Sequence, residues 1–229
     1  MRHFLALALP LLMLTSGMAQ LRPVEIPRQY SFINYDANDL RYDTASPSMR
    51  AFFMKWQRVA KNRQGNINIV HIGGSHVQAG TMSNTIRCNL MHAYPDLVGG
   101  RGMIFPYSAA AKCNNPRDYR VHCQQKVTLT RNIYKEHTYP LGICGIAIPA
   151  ADTLTEVAIE MNEPSVNYST SRIIVFGHSD ENVVPQLNIA GRNIYPSYAD
   201  PRTERFVFNL SQPTDTFAVL LPCQAGERF

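Results

Sequence analysis

From Tyr119 onward the apolar residues of this 229-residue chain fall into short segments of alternating pattern. Val121, Cys123, Val127 and Leu129 mark a first strand region. Ile143 to Ile148, Leu154 to Met161, Arg172 to Gly177, Pro185 to Ala190, Arg205 to Leu210 and Phe217 to Leu221 follow, separated by Asn, Pro, Ser, Asp and Gly. A period of two sends successive side chains to opposite faces of a sheet. Several such segments with turn residues between them, and no helical pattern intervening, predict an antiparallel β-sandwich over residues 113–229. The end, Gly226-Glu227-Arg228-Phe229, reads as the turn and first residue of one more strand, so the sandwich is expected to be incomplete.

The preceding segment has a different rhythm. Ser46-Pro47 supplies a helix N-cap with proline at the first helical position. Met49, Phe52, Phe53, Trp56, Val59 and Ala60 then form an apolar stripe, and Gly65 supplies the stop. The stripe, with the sole tryptophan on it, is expected to pack in a core. Asn66 to Ile72 reads as a strand, Gly73-Gly74 as a tight turn, and Ala79 to His92 as a second helix with Met82, Ile86, Leu90 and Ala93 on one face. Residues 46–112 are therefore expected to be α/β, and residues 20–45, without periodicity, an extended lead-in. The glycine-rich Gly99-Gly100-Arg101-Gly102 matches neither a P-loop nor a dinucleotide-binding spacing.

Met1-Arg2-His3 is a short positive region, Phe4 to Leu14 an apolar run, and Gly17-Met18-Ala19 supplies small residues before Gln20. That order predicts a cleaved signal peptide over residues 1–19 and export to the periplasm or beyond the cell. The run is short for a membrane span, and no cysteine follows the cleavage site, so no membrane anchor is expected. The formal charge of +5 includes no block of consecutive Lys or Arg, which argues against a nucleic-acid partner. The five cysteines fit no zinc spacing, and an odd count leaves at least one unpaired; Cys113 with Cys123 or Cys144 is the pairing to test first, with inert buried thiols as the alternative. No metal or organic cofactor is implied.

The strand-turn-helix at Ile69 to Gly80 would place the Ser75 hydroxyl at the carboxyl end of a strand, facing the N-terminus of the following helix. Such ends are where ligands and reacting groups collect in open α/β sheets, and helix amides there favour an oxyanion. Ser75 is thus the candidate reacting residue, with Gly73, Gly74, His76 and Gln78 lining the oxyanion site or pocket. His76 is adjacent to Ser75, and neighbouring side chains on such a turn diverge, which makes it a pocket or turn residue rather than a base. His178, in Gly177-His178-Ser179-Asp180, reads as a surface-loop residue, and Asp152, Asp180 and Asp200 as turn residues.

His71-Ile72-Gly73-Gly74-Ser75-His76-Val77-Gln78-Ala79, followed by Gly100-Arg101-Gly102-Met103-Ile104-Phe105-Pro106, resembles the first block of exported SGNH (GDSL-like) hydrolases of the Bacteroidetes type. It is more distantly similar to peptidoglycan O-acetyl esterases that carry an inserted carbohydrate-binding-type β-sandwich. The resemblance implies a serine ester hydrolase with Ser75 as nucleophile and an acetylated glycan or cell-wall carbohydrate as substrate. The chain departs from the family at Gly74, where the motif has aspartate. It also lacks the family's Gly-x-Asn-Asp and Asp-x-x-His blocks, which supply the oxyanion asparagine and the base with its orienting acid. The resemblance therefore implies an esterase that is cut short or decayed. The alternative is a non-catalytic carbohydrate-binding or cell-surface protein whose sandwich does the work, with Tyr134, Tyr139, Tyr168, Tyr195 and Tyr198 as loop aromatics for sugar contact.

Overall fold

The computed structural model describes residues 28–37, 41, 43, 45–109, 114–123, 129–137, 139–150, 155–162, 168–178 and 183–223. The signal-peptide region, Cys113, Asp152 and Asp180 lie outside them. The chain divides into two compact units, Met1–Arg50 and Ala51–Phe229. In the first, Tyr35–Ala37 forms a single 3-10 turn, closed by an Arg28–Asp36 ion pair at 2.6 Å and by the Tyr30 amide donating to the Tyr35 hydroxyl at 3.1 Å. Helix α1, Pro47–Asn62, begins at the predicted proline and ends before Gly65.

The second unit contains the β-sandwich. One antiparallel sheet has five strands in the order β1 (Tyr119–His122), β4 (Thr155–Met161), β10 (Thr216–Leu221), β6 (Gln186–Ile189), β7 (Arg192–Ile194). The other has three, β5 (Thr170–Phe176), β9 (Arg205–Thr214) and β8 (Tyr198–Asp200). Strands β2 (Thr130–Arg131) and β3 (Ile146–Ala147) pair as a short separate ribbon. The inward positions follow the alternation. Val157 and Ile159 of β4, Leu187 of β6 and Phe217 of β10 meet Ile173 of β5 and Phe208 of β9 in one core. Burying each such side chain contributes roughly 1.5–3 kcal/mol, which is why these six fix the register of both sheets.

Most of the predicted strand regions are strands, with ends shifted by a few residues. Strands β7 and β8 were not marked by the pattern: they are three residues each, too short to show a period. The Ala190-Gly191 turn, with φ of 50° and 79°, folds β7 back on β6, and such paired positive φ angles suit a tight hairpin. The change from helices to strands falls between Ala109 and Tyr119, within the second unit.

Two expectations for the preceding segment are corrected. Residues 66–72 form no strand: they have no pairing partner among the described residues, and Val70 and Ile72 are 78% and 88% exposed. A strand exists only where neighbours take up its backbone N–H and C=O groups, and none is at hand. Helix α1 buries no residue. Phe52 and Phe53 are exposed, while Trp56 is half-buried and meets Tyr94 edge-on at 5.7 Å.

Candidate functional site

Ser75 is the first residue of the four-residue helix α2, Ser75–Gln78, and Gly74 is its N-cap in extended conformation. The turn is closed by the Val77 and Gln78 amides donating to the Gly74 carbonyl at 3.0 and 3.1 Å. Gly73 is required here, because a Cβ on it would approach the Val77 Cγ2 to 2.5 Å. Gly74 is not: a Cβ there meets nothing within 4 Å. Gly80, at φ 73°, then redirects the chain into helix α3, Thr81–Ala93, which packs against α2. The predicted second helix is thus present, with a sharp break at Gly80 that a continuous helical reading from Ala79 passes over.

Ser75 and His76 are exposed, and Gln78 is half-buried. No hydrogen bond engages the Ser75 hydroxyl, and no histidine or carboxylate meets it, among the described residues. The shallow depression lined by Met54, Gln57, Arg58, Lys61 and Asn62 lies on α1 and does not include Ser75. The predicted cluster of Gly73, Gly74, Ser75, His76 and Gln78 is contiguous by chain order, and the structure adds no base to it.

A histidine that does meet a serine is His71. Its Nδ1 lies 2.8 Å from the Ser83 Oγ, tying the segment before the turn to the first turn of α3. His178, half-exposed after β5, has its Nδ1 2.6 Å from Glu204 Oε1, so it serves the end of β5 and the turn before β9. Asp200 is the turn residue expected: its carboxylate accepts from the Thr203 hydroxyl at 2.8 Å and the Arg202 amide at 3.1 Å, and the Thr203 bond leads in holding its pKa below the ordinary value. Cys144 keeps its thiol, which donates to Met103 Sδ at 3.8 Å, so a Cys113–Cys144 disulfide is not formed. The Cys113–Cys123 alternative lies outside the described residues.

The most densely connected polar group is elsewhere. Asp118, 2% exposed, precedes β1, with Arg101 Nε 3.1 Å and Arg87 Nη1 3.5 Å from its Oδ2. The Arg101 Nε–H is not aligned as a hydrogen bond and Asp118 Oδ1 accepts none, so this contact is ionic rather than a bidentate fork. Arg101 lies over the Tyr119 ring at 4.7 Å and donates to the Met103 carbonyl at 3.0 Å. Arg87 lies over the Tyr168 ring at 5.5 Å and donates to the Tyr168 hydroxyl at 3.2 Å, and that hydroxyl in turn donates to Asn84 Oδ1. Burial pushes the Tyr168 pKa up to about 12 against the opposing pull of Arg87, and it raises Tyr119 further.

This group joins α3, the Gly100-Arg101-Gly102 loop and β1. It also sets how α3 is buried: of the predicted apolar face, Leu90 and Ala93 are half-buried but Met82 and Ile86 are exposed, while Asn84, Arg87 and Cys88 are half-buried and Met91 is buried. Tyr168, considered as a loop aromatic for sugar, is buried in it instead. No periodicity marks these residues. The one available cue is a lone arginine between two glycines, which pattern alone cannot pair with Asp118.

Among the described residues no group of three His, Cys, Asp or Glu could hold a metal ion, and no helix is long and apolar enough to cross a membrane. No protein-family model, no curated protein and no solved structure matches this chain.

Proposed function

We propose that the chain is an exported SGNH-like serine ester hydrolase acting on acetylated carbohydrate, with Ser75 as its nucleophile. The observation that carries the reading is the setting of Ser75: an exposed hydroxyl, uncommitted among the described residues, at the head of a helix, directly after a Gly73-Gly74 turn that only a small residue at 73 permits. In the reaction the Ser75 Oγ attacks the acetyl carbonyl and its proton passes to solvent water, since no histidine or carboxylate meets it among the described residues. The oxyanion sits against the Ser75 N–H and the neighbouring glycine amides. The sugar hydroxyl then leaves with a proton, and water releases acetate from the acyl-serine. A serine without a positioned base is a weak nucleophile, so turnover by this chain alone is expected to be slow.

Export rests on the charged start, the apolar run and the small residues before Gln20, and N-terminal sequencing of the secreted protein checks it. Hydrolysis of p-nitrophenyl acetate by the purified mature protein is compared with that of Ser75→Ala. A serine-dependent rate is expected to vanish in the variant; equal rates in the two reject the esterase reading.

A further inference from the structure

His71 and Ser83 form a pair that the reading built on Ser75 does not use. The His71 Nδ1 stands 2.8 Å from the Ser83 Oγ, within the span of about 2.6–3.2 Å over which a base takes a proton from a nucleophile. Ser75 has no such partner among the described residues. His71 is exposed and Ser83 half-buried, so dissolved molecules reach the pair. Ser83 lies in the first turn of α3, and His71 leads into the Gly73-Gly74 turn, whose short helix α2 packs against α3. The start of α3 is uncapped. Its N-cap, Gly80, has no side chain to offer, and the first amide taken up is that of Asn84, which donates to the Gly80 carbonyl at 2.8 Å. The amides of Thr81, Met82 and Ser83 have no carbonyl partner among the described residues. Side chains on a helix lean towards its N-terminus, so a group attached to the Ser83 Oγ is carried towards those amides.

We propose that Ser83, with His71 as its base, is a second nucleophile of this protein and accepts acyl groups from activated carboxylic esters. In the neutral imidazole with its proton on Nε2, Nδ1 accepts the Ser83 hydroxyl. The Ser83 Oγ attacks the ester carbonyl carbon as its proton moves to Nδ1. The carbonyl oxygen takes up the negative charge, which the uncapped amides and the positive end of α3 favour. The bond from that carbon to the leaving oxygen then breaks and the leaving oxygen takes the proton from Nδ1, so the products are acyl-Ser83, the free alcohol and neutral imidazole. The ester class follows from the size of the pair. No carboxylate meets His71 among the described residues, so nothing steadies the imidazolium as the third member of a triad does. The leaving group must supply that difference, which selects aryl esters over esters of ordinary alcohols and over amides. The proposal needs neither Ser75 nor a carbohydrate, and it stands or falls apart from the esterase reading.

The test is covalent labelling of the purified mature protein with an alkyl fluorophosphonate, in which the attacking serine oxygen bonds to phosphorus and fluoride leaves. Cyanogen bromide cleaves after methionine, so Ser75 falls in fragment 55–82 and Ser83 in fragment 83–91, and mass spectrometry reads the two apart. Label is expected on fragment 83–91 of the wild type and not of Ser83→Ala. In His71→Gln it should be acquired about a hundredfold more slowly, since general-base assistance is worth roughly 10²–10⁴-fold. Added imidazole should restore part of the lost rate in His71→Ala, which it would not do if His71 served only to tie down the chain. The wild-type map decides the matter even where a variant fails to fold: an unlabelled fragment 83–91 overturns the proposal, as do equal labelling rates in wild type and folded His71→Gln. Label on 83–91 without label on 55–82 supports the Ser83 pair while counting against Ser75, and label on 55–82 alone does the reverse.

Discussion

Replacing Asp118 by alanine removes the single anion between two arginines whose side chains are 19% and 15% exposed. Removing one member of a buried ion pair costs roughly 3–5 kcal/mol, because the charge left behind is desolvated without compensation. Here Arg87 and Arg101 keep some solvent and other acceptors, the Tyr168 hydroxyl and the Met103 carbonyl, which sets the expectation near the lower end, about 3 kcal/mol. In a chain of this size each kcal/mol moves the unfolding temperature by about 2–4 °C, so a fall of about 6–12 °C is expected. Urea unfolding followed by far-UV circular dichroism measures the free energy, and a thermal scan measures the midpoint. Glu160→Ala is the control. Its partner Arg120 is 3.9 Å away with both side chains well exposed, and such a pair is worth about 0–1 kcal/mol. If Asp118→Ala unfolds within about 1 kcal/mol of the wild type, the arginines are adequately solvated without their carboxylate and the group does not fasten α3 to β1.

Gly74→Asp should be tolerated and mildly stabilising, by about 0.5–1 kcal/mol, because φ −82° and ψ −150° suit any residue, nothing lies near the added Cβ, and aspartate both caps α2 and restricts the unfolded chain. A lowered midpoint in thermal denaturation would show that the turn needs glycine. At alkaline pH the buried tyrosines set the response. Tyr119 and Tyr168 have folded pKa values raised above the unfolded value of 10.0, so their contribution is complete below pH 10 and is lost as pH rises from there through the folded values. Absorbance at 295 nm should show a titration delayed beyond that of the exposed tyrosines. Loss of that delayed step in Tyr168→Phe confirms part of the assignment, whereas an unchanged curve in that variant contradicts it.

The sandwich was legible because its code is local. Val157 and Ile159, Ile173 and Val175, and Phe206, Phe208 and Leu210 alternate with polar or outward residues, and burial on one face enforces that alternation along each strand. The start of α1 was legible at Pro47 for a similarly local reason, since proline at the first helical turn lacks an amide that the helix would leave unbonded. The polar group at Asp118 was not legible. It joins Arg87, Arg101, Asp118 and Tyr168, and only three-dimensional packing brings residues so far apart in sequence onto one carboxylate. At the candidate site, Gly73 and Gly80 were visible as punctuation, but the approach of His71 to Ser83, and the lack of a base at Ser75 among the described residues, are tertiary facts.

Helix α3 could bury either of two faces, and the choice between them bears directly on Ser75. A desolvated carboxylate needs cations, and Arg87 can supply one while laying its aliphatic stem along the protein surface. Turning Asn84, Arg87, Cys88 and Met91 inward therefore satisfies Asp118 and leaves Met82 and Ile86 outside. Segment 66–72 is left in the same condition. Ile69, Val70 and Ile72 are exposed, although a near-continuous apolar run is the mark of a strand covered by helices above and below. In this arrangement no hydrogen-bonded ladder stands behind the Gly73-Gly74-Ser75 turn. Among the described contacts, its position is set by the packing of α2 on α3 and by the His71–Ser83 bond. A serine nucleophile needs its attacking oxygen fixed relative to a base and to oxyanion donors. The described elements fix Ser75 relative to α3 and, through Arg87 and Asp118, fix α3 relative to the sandwich. On the esterase reading the sandwich is then more than a neighbour: it is the frame to which the nucleophile is registered through α3.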